Sequence, residues 1–451
     1  MADETENRPG AAAPTGAPAT GRFGRALKLS GLATRVTGSV IAQSVKRAFG
    51  GGGDDGHHAA SAALLANAER IVKTMGEMKG AAMKVGQLLS ADPDLIHPDF
   101  ADQLSALQRN APPMTFDMVR AQIESAFGQP LSHLYAEFEP EPIGAASIGQ
   151  VHRARLHNGR VVAVKVQYPG ITATLDSDLR NLGAVLSMGR VFLSRERLDQ
   201  FLDEARGAIL DEADYELEAR TLARFRRLLA HRPGLRVPEP YPEYTARTVI
   251  TMEYVAGGKL DEVLLTLEDQ AEKDRLITRF VETFVWMFHE HYVLHADPHP
   301  GNFLLDEHHN IVLLDFGCVK AFDPDLCDGV LYLLRHFWEG DMHALEQRFR
   351  MMGFGTPEAK FPDHEVLRAY HDLILAPIKH DAPFDFSGWS VHARLRTFLR
   401  ENFELVRMIP PAGLILYFRV LAGLKGQMTR MKANINLRAL AEEQCRRKGV
   451  M

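Results

Sequence analysis

Residues 295–317 read HADPHPGNFLLDEHHNIVLLDFG, the most specific pattern in the chain. Asp297 and Asn302 have the spacing at which phosphoryl-transfer enzymes place an aspartate that orients a hydroxyl and an asparagine that binds Mg²⁺. Asp315 ends an apolar run and precedes a turn, which suits a carboxylate that binds the same cation. The pattern therefore indicates a site for nucleotide phosphates and a hard divalent cation.

The residues between Asn302 and Asp315 have the pattern of a short β-hairpin. Residues 303–305 and 311–314 are apolar, and residues 306–310 supply the turn. The two strand ends would bring Asn302 and Asp315 together, so that two oxygen ligands can bind one cation.

A zinc site is a competing interpretation of the same stretch. His295 and His299 lie four residues apart, as metal-binding histidines on a helix do. Pro298 and Pro300 disfavour a helix there, and no third soft ligand lies nearby in the sequence. We therefore discount zinc.

Strands are predicted upstream of this stretch. Apolar runs at 148–156 and 161–167 flank an Asn-Gly turn, which predicts another hairpin. Its second strand carries Lys165, where a lysine can reach nucleotide phosphates, although lysines end many strands. The other predicted elements are a long helical stretch over about 174–229, a short strand over 248–254 and chiefly helix from residue 259 onward.

Composition limits the class of protein. The 451 residues are 46% hydrophobic and 24% charged, values typical of a globular chain with a substantial core. A net charge of −6 gives no global basic field, so we expect no nucleic-acid partner. Three cysteines are too few for a disulfide framework and indicate a reducing cytoplasm. Because no apolar run reaches the roughly 20 residues of a spanning helix, we expect no integral membrane protein.

The N-terminal part of the sequence contains segments of different character. Residues 1–20 are rich in Ala, Pro and Gly and are predicted to be disordered. Residues 21–47 contain cations but no acid, with apolar residues at three- and four-residue steps, as in a basic amphipathic helix on an anionic membrane. A helix packed on its own domain or a disordered basic tail would have the same composition. A helix is also predicted over 63–89, with Lys84 and Gln87 on one face.

Several motifs together resemble the ABC1/AarF/UbiB/COQ8 family of atypical kinase-like proteins, in its COQ8-type branch. The motifs are KVGQ at 84–87, GAASIGQVH at 144–152, EAD at 212–214, HADPHPGN at 295–302 and DFG at 315–317. The match covers roughly residues 60–440, and so many motifs in one order are hard to obtain by chance.

The resemblance implies roles for particular residues. Lys165 would hold the α- and β-phosphates of ATP and pair with Glu218 on an αC-like helix. Asp297 would be the catalytic-loop aspartate, while Asn302 and Asp315 would bind Mg²⁺.

The resemblance also implies residues that hold or inhibit the nucleotide site. The nucleotide would contact Ala145, Ala146, Ser147, Lys165, Glu253 and Val255. The inhibitory arrangement, in which added helices cover the place of a protein substrate, would use Lys84, Gln87, Glu212 and Asp214. An ordinary packed helix is the other interpretation of Lys84 and Gln87, as a solvated helix face is of Glu212 and Glu218.

The sequence departs from the resembled pattern at one position and lacks two related features. Gly144 stands where the family usually has its first alanine, which would loosen the loop slightly. No APE motif follows residues 315–317, an absence that the family shares and that weakens any expectation of protein phosphorylation. The paired C-terminal membrane helices of some UbiB members are also absent from the sequence.

We therefore expect an α+β protein with a protein-kinase-like bilobal fold and an N-terminal helical extension packed on the small lobe. The expected domains are a disordered or basic amphipathic segment with a Gly-rich linker at 1–60, a helical extension at 61–135, a kinase-like N-lobe at 136–256 and a helical C-lobe at 257–451.

The resemblance implies a Mg²⁺-dependent ATP-binding protein that acts as an ATPase. It would support isoprenoid quinone (ubiquinone-type) biosynthesis or lipid handling, in the cytoplasm at the inner face of a membrane. An isoprenoid lipid or quinone precursor would be a partner, with membrane contact through residues 21–47. Two alternatives remain open: a small-molecule phosphotransferase whose substrate hydroxyl reaches Asp297, and a catalytically weak, nucleotide-gated lipid-binding scaffold.

Overall fold

The computed structural model describes residues 114–188, 195–355, 361–389, 391–408 and 410–451. The segment at 1–60, the membrane contact at 21–47 and the helix with Lys84 and Gln87 lie outside these residues. The chain divides into one unit of residues 1–113, 147–149 and 168–209 and a second unit of residues 114–146, 150–167 and 210–451.

Between residues 114 and 253 the described elements include both helices and strands. They are α1 (Phe116–Phe127), α2 (Leu131–Leu134), β1 (Glu137–Ala146), β2 (Gly149–Arg155), β3 (Val161–Gln167), α3 (Ile171–Met188), α4 (Arg195–Glu212), α5 (Tyr215–Leu229), β4 (Leu235–Arg236) and β5 (Val249–Glu253).

The elements after residue 253 are mostly helices with short strands between them. They are β6 (Gly258–Lys259), α6 (Leu260–Thr266), α7 (Gln270–His291), β7 (Val293–His295), β8 (Phe303–Leu305), β9 (Ile311–Leu313), β10 (Val319–Ala321), α8 (Pro324–Glu339), α9 (Met342–Met351), α10 (His364–Ile374), α11 (Ala376–Lys379), β11 (Phe384–Asp385), α12 (His392–Glu401), α13 (Ala412–Arg430), β12 (Asn434–Ile435) and α14 (Leu437–Arg447). Short 3₁₀ turns occupy Pro242–Tyr244, Pro300–Asn302 and Phe403–Arg407.

In the first unit, α3 lies beside the part of α4 that precedes residue 210. An ion pair joins the two helices, with Arg206 Nε 2.8 Å from Asp176 Oδ1. Gly183 permits a close approach, since a Cβ at this position would lie 2.7 Å from Leu202 Cδ1. The small residue on α3 therefore lets the Leu202 side chain pack directly against the helix backbone.

In the second unit, four strands form a sheet in the order β1-β2-β3-β5. The predicted hairpin of β2 and β3 and the predicted short strand β5 are confirmed. Strand β1 was not predicted, because Pro140 and Pro142 argue against a strand. It is tolerated because β1 lies at the edge of the sheet, where a missing N–H leaves no ladder partner unsatisfied.

The predicted helical stretch over about 174–229 is confirmed, and its described residues form three helices, α3, α4 and α5. Helix α4 ends at Glu212 and α5 begins at Tyr215. Between them Asp214 is the N-cap of α5, and its side chain accepts a hydrogen bond from the Leu217 N–H at 2.9 Å. A carboxylate in that place satisfies an N–H that a helix start leaves unpaired, and so fixes the beginning of a new helix.

A second four-stranded sheet in this unit has the order β4-β9-β8-β6. It contains the predicted hairpin, which is confirmed: β8 and β9 are antiparallel, with Phe303 opposite Leu313. Asp306 fixes the turn, since its side chain accepts hydrogen bonds from the backbone N–H groups of His308 and Asn310. Strands β7 and β10 form a separate antiparallel pair.

Helix α7 packs against α8 and α14, and its buried face includes Phe280, Phe284 and Phe288. Phe288 stacks on Tyr417 of α13 with ring centroids 4.1 Å apart. The aromatic face of α7 thus joins the C-terminal helices to the β7–β9 region that carries the polar loop residues. In the part of the chain that the structure describes, no helix combines the length and the apolar character needed to cross a membrane.

Candidate functional site

Lys165 occupies the buried centre of the site. It lies on β3 opposite Ile250 of β5, and only 4% of the residue is exposed. Val164 and Val166 beside it are fully buried, so the lysine enters the site from an apolar strand. A charged group in this place needs close partners, because burial of an unpaired ammonium group is costly.

Two carboxylates surround the ammonium group of Lys165. Its Nζ donates to both carboxylate oxygens of Glu218, at 2.9 and 3.0 Å, and to Asp315 Oδ2 at 3.0 Å. Tyr215 contributes its ring face, with the centroid 4.9 Å from Nζ. The three charged residues come from β3, α5 and the segment after β9, so the fold brings together groups that are far apart in the chain.

The pKa values of the two carboxylates around Lys165 are shifted in opposite directions. Burial raises the pKa of Glu218 to about 7, although Lys165 opposes the rise. Burial alone would also raise the pKa of Asp315, but Lys165 and the Gly317 N–H hold it at about 2. Burial alone would lower the pKa of Lys165, yet Asp315 and Glu218 hold it well above its ordinary value. One cation thus faces more carboxylate than it can neutralise.

Glu212 adds to this negative charge. It is 4% exposed and lies at the DFG turn, because a Cβ at Gly317 would be 3.3 Å from Glu212 Cγ. Its charge acts on both Lys165 and Glu218. The alternative interpretation of Glu212 and Glu218 as a solvated helix face is wrong, since both are buried.

The loop after β7 holds Asp297 and Asn302 together. Asn302 Nδ2 donates to Asp297 Oδ2 at 2.9 Å and to the Asp297 carbonyl at 3.2 Å. The His299 N–H donates to Asp297 Oδ1 at 3.3 Å. Both carboxylate oxygens of Asp297 are therefore oriented by groups of its own loop.

Asn302 and Asp315 lie at one end of the β8–β9 hairpin. The Leu314 N–H donates to the Asn302 carbonyl at 3.0 Å, which continues the strand pairing one step beyond Phe303 and Leu313. Oxygen ligands from these two strand ends, beside an excess of carboxylate, have the chemistry that Mg²⁺ prefers. The residues present therefore fit a hard divalent cation.

His295 is a part of the site that its sequence did not reveal. It is 1% exposed, its Nε2 bonds to the Asp315 carbonyl, and its Nδ1 accepts the Asp297 N–H at 3.4 Å. The imidazole thus connects the backbones of the two aspartate segments. The signal available in the sequence was its position two residues before Asp297, within the HADPHPGN motif.

His299 has a different role from His295. Its Nδ1 accepts the Gly301 N–H at 3.1 Å within the loop. The two histidines are used for loop geometry, which gives them a structural explanation without zinc.

Phe316 fixes the segment that carries Asp315. It is 2% exposed and contacts Phe225 of α5, with ring centroids 4.9 Å apart. Because α5 also carries Glu218, the same helix contacts both Lys165 and the DFG segment.

The loop between β1 and β2 has ordinary backbone geometry. Ala145 and Ala146 end β1, Ser147 follows, and neither Gly144 nor Gly149 has a positive φ. Because no residue of this loop has a positive φ, the alanines at 145 and 146 cause no backbone strain. A contact of these residues with a nucleotide stays a prediction.

Glu253 and Val255 lie at the end of β5 and just beyond it. The Glu253 carboxylate accepts Arg236 Nη2 at 2.7 Å and the Glu239 N–H at 3.2 Å, while Val255 is 7% exposed. The side chain of Glu253 is thus already engaged, and the N–H groups of Glu253 and Tyr254 donate to the carbonyls of Glu239 and Val161. A contact of Glu253 and Val255 with a nucleotide stays a prediction.

The arrangement of β3, α5, the β7–β8 loop and the DFG segment is that of a protein-kinase-like domain. Residues 106–349 match the ABC1 atypical kinase-like domain, more than half of the chain. The chain belongs to this family of atypical kinase-like proteins, and the predicted kinase-like fold is confirmed.

Several relatives show how far the similarity extends. The chain is 32% identical over 442 residues to "Atypical kinase coq-8, mitochondrial" of Caenorhabditis elegans, covering 94% of this chain and 57% of that protein. It is 31% identical over 426 residues to "Atypical kinase COQ8B, mitochondrial" of Danio rerio, covering 93% of this chain and 68% of that protein. The chain therefore spans little more than half the length of the nematode relative.

Among solved structures, the chain resembles the complex of Rv3197 with erythromycin from Mycobacterium tuberculosis. The TM-score is 0.60 at 26% sequence identity, and the likeness covers 86% of this chain and 98% of that one. This likeness extends well beyond the residues around Lys165.

Proposed function

We propose that the chain binds ATP with Mg²⁺ and transfers the terminal phosphate, to water in the first instance, as an atypical kinase-like ATPase. The observation that carries the proposal is the contact of Lys165 with both Glu218 and Asp315, beside the paired Asp297 and Asn302. Protein kinases need a lysine paired with a helix carboxylate and an aspartate that binds Mg²⁺, and Lys165, Glu218 and Asp315 have this arrangement of residue types.

Lys165 would change partners when a nucleotide binds. Its ammonium group keeps the buried Glu218 and exchanges its contact with Asp315 for phosphate oxygens. Asp315, released from Lys165, would then bind Mg²⁺ together with Asn302. Mg²⁺ supplies positive charge that neutralises the phosphate oxygens during transfer.

Asp297 would orient the attacking group. Its carboxylate is fixed by Asn302 and the His299 N–H, so that one oxygen can accept a hydrogen bond from a water or hydroxyl. His295 would keep this loop in register with Asp315 through its two backbone contacts. The nucleotide itself would contact Ala145, Ala146, Ser147 and the backbone at Glu253 and Val255.

The inhibitory arrangement is part of the proposal. The position of Glu212 supports it, since its buried carboxylate lies beside the DFG turn and would attract a cation from another segment. Lys84, with Gln87, would be that cation. Asp214 would contribute indirectly, because its side chain is already used to cap α5.

The cellular role that we propose is support of isoprenoid quinone biosynthesis or lipid handling at the inner face of a membrane. The support for it is the similarity to proteins named as COQ8-type mitochondrial atypical kinases. An isoprenoid lipid or quinone precursor would be the partner, and residues 21–47 would supply the membrane contact.

Nucleotide binding can be tested by thermal shift with Mg·ATP. A ligand at about 100 times its Kd stabilises a protein by about 2.7 kcal/mol, which raises Tm measurably. We expect Asp315→Asn to lose this rise while its Tm without nucleotide still shows a folded protein. Asp117→Asn is the matched control, because Asp117 is 82% exposed on α1. If Asp315→Asn keeps the full nucleotide-induced rise, the proposed metal site is wrong.

A further inference from the structure

A basic cavity lies at the C-terminal end of α5, away from Lys165. Its volume is about 420 Å³, and its lining includes Arg226, Arg227, Arg236 and Glu253. Three guanidinium groups against one carboxylate leave the cavity with an excess of positive charge. A volume of this size is within the range of small-molecule sites.

The three arginines differ in how they are held. Arg236 donates to Glu253 at 2.7 Å and to the buried Asp306 at 3.4 Å, so its guanidinium group is fixed at the wall. Arg226 and Arg227 are exposed, and within the described residues neither side chain makes a hydrogen bond or an ion pair. The cavity thus combines one fixed cation with two that are available to a ligand.

Helix electrostatics explain only part of this arrangement. Arg226 and Arg227 lie in the last turn of α5, where cations favourably face the helix C-terminus. That effect accounts for neither Arg236, which comes from β4, nor the cavity that all three share. Leu229 and Leu235 add apolar lining beside the charges.

We propose that this cavity is a second ligand site, which binds a phosphate group. Arginine is suited to phosphate because its planar guanidinium group donates two parallel hydrogen bonds to the oxygens. The phosphate could belong to a soluble diphosphate or to an anionic lipid headgroup. The two proposed sites meet at Glu253, but this one uses neither Lys165 nor Asp315 and does not depend on ATP binding.

The cavity is connected to the region around Lys165 through α5 and β5. Arg226 follows Glu218 by eight residues on α5, about 12 Å along the helix axis. Arg236 also contacts Glu253 at the end of β5. A ligand in the cavity would therefore contact both the helix that pairs with Lys165 and the strand end proposed to lie beside adenine.

The test is titration of the full chain with inorganic pyrophosphate without Mg²⁺, by calorimetry. The double variant Arg226→Gln/Arg227→Gln should bind at least about 10-fold more weakly, since it loses two charge-assisted contacts. The matched control is Arg220→Gln/Arg224→Gln, which removes the same charge from exposed positions of the same helix outside the cavity lining. The control should bind within about twofold of the wild type.

Co-sedimentation with vesicles of phosphatidylcholine, with and without phosphatidylglycerol, distinguishes the source of the phosphate. Pyrophosphate binding that depends on Arg226 and Arg227 supports a soluble ligand, whereas vesicle binding alone with that dependence supports a headgroup. Equal weakening in both double variants, or no effect in either assay, would overturn the proposal. The rise in Tm with Mg·ATP should be unchanged in Arg226→Gln/Arg227→Gln, which separates this site from the proposed nucleotide site.

Discussion

Gly423 of α13 packs directly against Pro298 of the loop that carries Asp297. A Cβ at Gly423 would lie 2.7 Å from Pro298 Cγ, a distance at which one of the two must move. Helix α13 thus supports the proposed catalytic loop from outside, and the absence of a side chain at Gly423 permits this approach.

We expect Gly423→Ala to lower kcat for ATP hydrolysis by about 10-fold or more, because small displacements of a catalytic group are costly. KM for ATP should change little, since Lys165 is untouched. Gly426→Ala on the same helix is the control: its Cβ would meet nothing within 4 Å, so that helix propensity alone changes. Equal kcat in the two variants would refute a positioning role for Gly423.

The contribution of Lys165 to the charge cluster can be measured as a change in the free energy of unfolding. Lys165→Met leaves Glu218 and Asp315 without their buried cation, and we expect a loss of roughly 3–5 kcal/mol in the free energy of unfolding. Lys320→Met is the matched control, because Lys320 forms an ion pair with Asp211 in which both side chains are about half exposed. It should cost about 1 kcal/mol or less. Denaturant unfolding of both variants measures the difference, and similar losses would contradict the account.

The raised pKa of Glu218 predicts a pH dependence of stability. Its pKa increases from 4.5 to about 7 on folding, so the folded state keeps a proton that the unfolded state has released. The contribution of Glu218 to stability therefore falls as the pH rises from 4.5 to about 7. Glu218→Gln cannot titrate and should show a smaller fall in Tm over this interval. Parallel Tm profiles for the variant and the wild type would show that Glu218 titrates normally.

Two glycines separate the effects of space and backbone conformation. Gly144 and Gly159 both have open space where a Cβ would lie, but only Gly159 has a positive φ, of 84°. Gly144→Ala should be neutral or stabilise by up to about 1 kcal/mol, because it restricts the unfolded chain. Gly159→Ala should destabilise by about 1–2 kcal/mol. Thermal unfolding measures both, and a large loss in Gly144→Ala would mean that the loop needs glycine.

Local patterns in the sequence predicted the local structure. The hairpins of β2 with β3 and of β8 with β9 follow from short apolar runs around strong turn signals. The break before α5 was missed, although Asp214 has the residue type of an N-cap. Strand β1 was missed because its prolines are compatible with a strand only at a sheet edge, and edge position depends on the whole sheet.

The site shows where sequence patterns stop being sufficient. Lys165 is separated from Glu218 by 53 residues and from Asp315 by 150, so no local pattern fixes their contacts. The resemblance to a family suggested the pairing of Lys165 with Glu218, but not the direct contact with Asp315. The link through His295 was missed because its partners are backbone groups, which leave no pattern of residue types.

The most direct test of the proposed function is phosphate release from Mg·ATP by the purified chain, with and without anionic liposomes. We expect slow release that increases with liposomes and is abolished by Asp315→Asn, while Asp117→Asn behaves as the wild type. Release that Asp315→Asn leaves unchanged, or tight ATP binding with no release under either condition, would contradict an Asp315-dependent ATPase at a membrane surface.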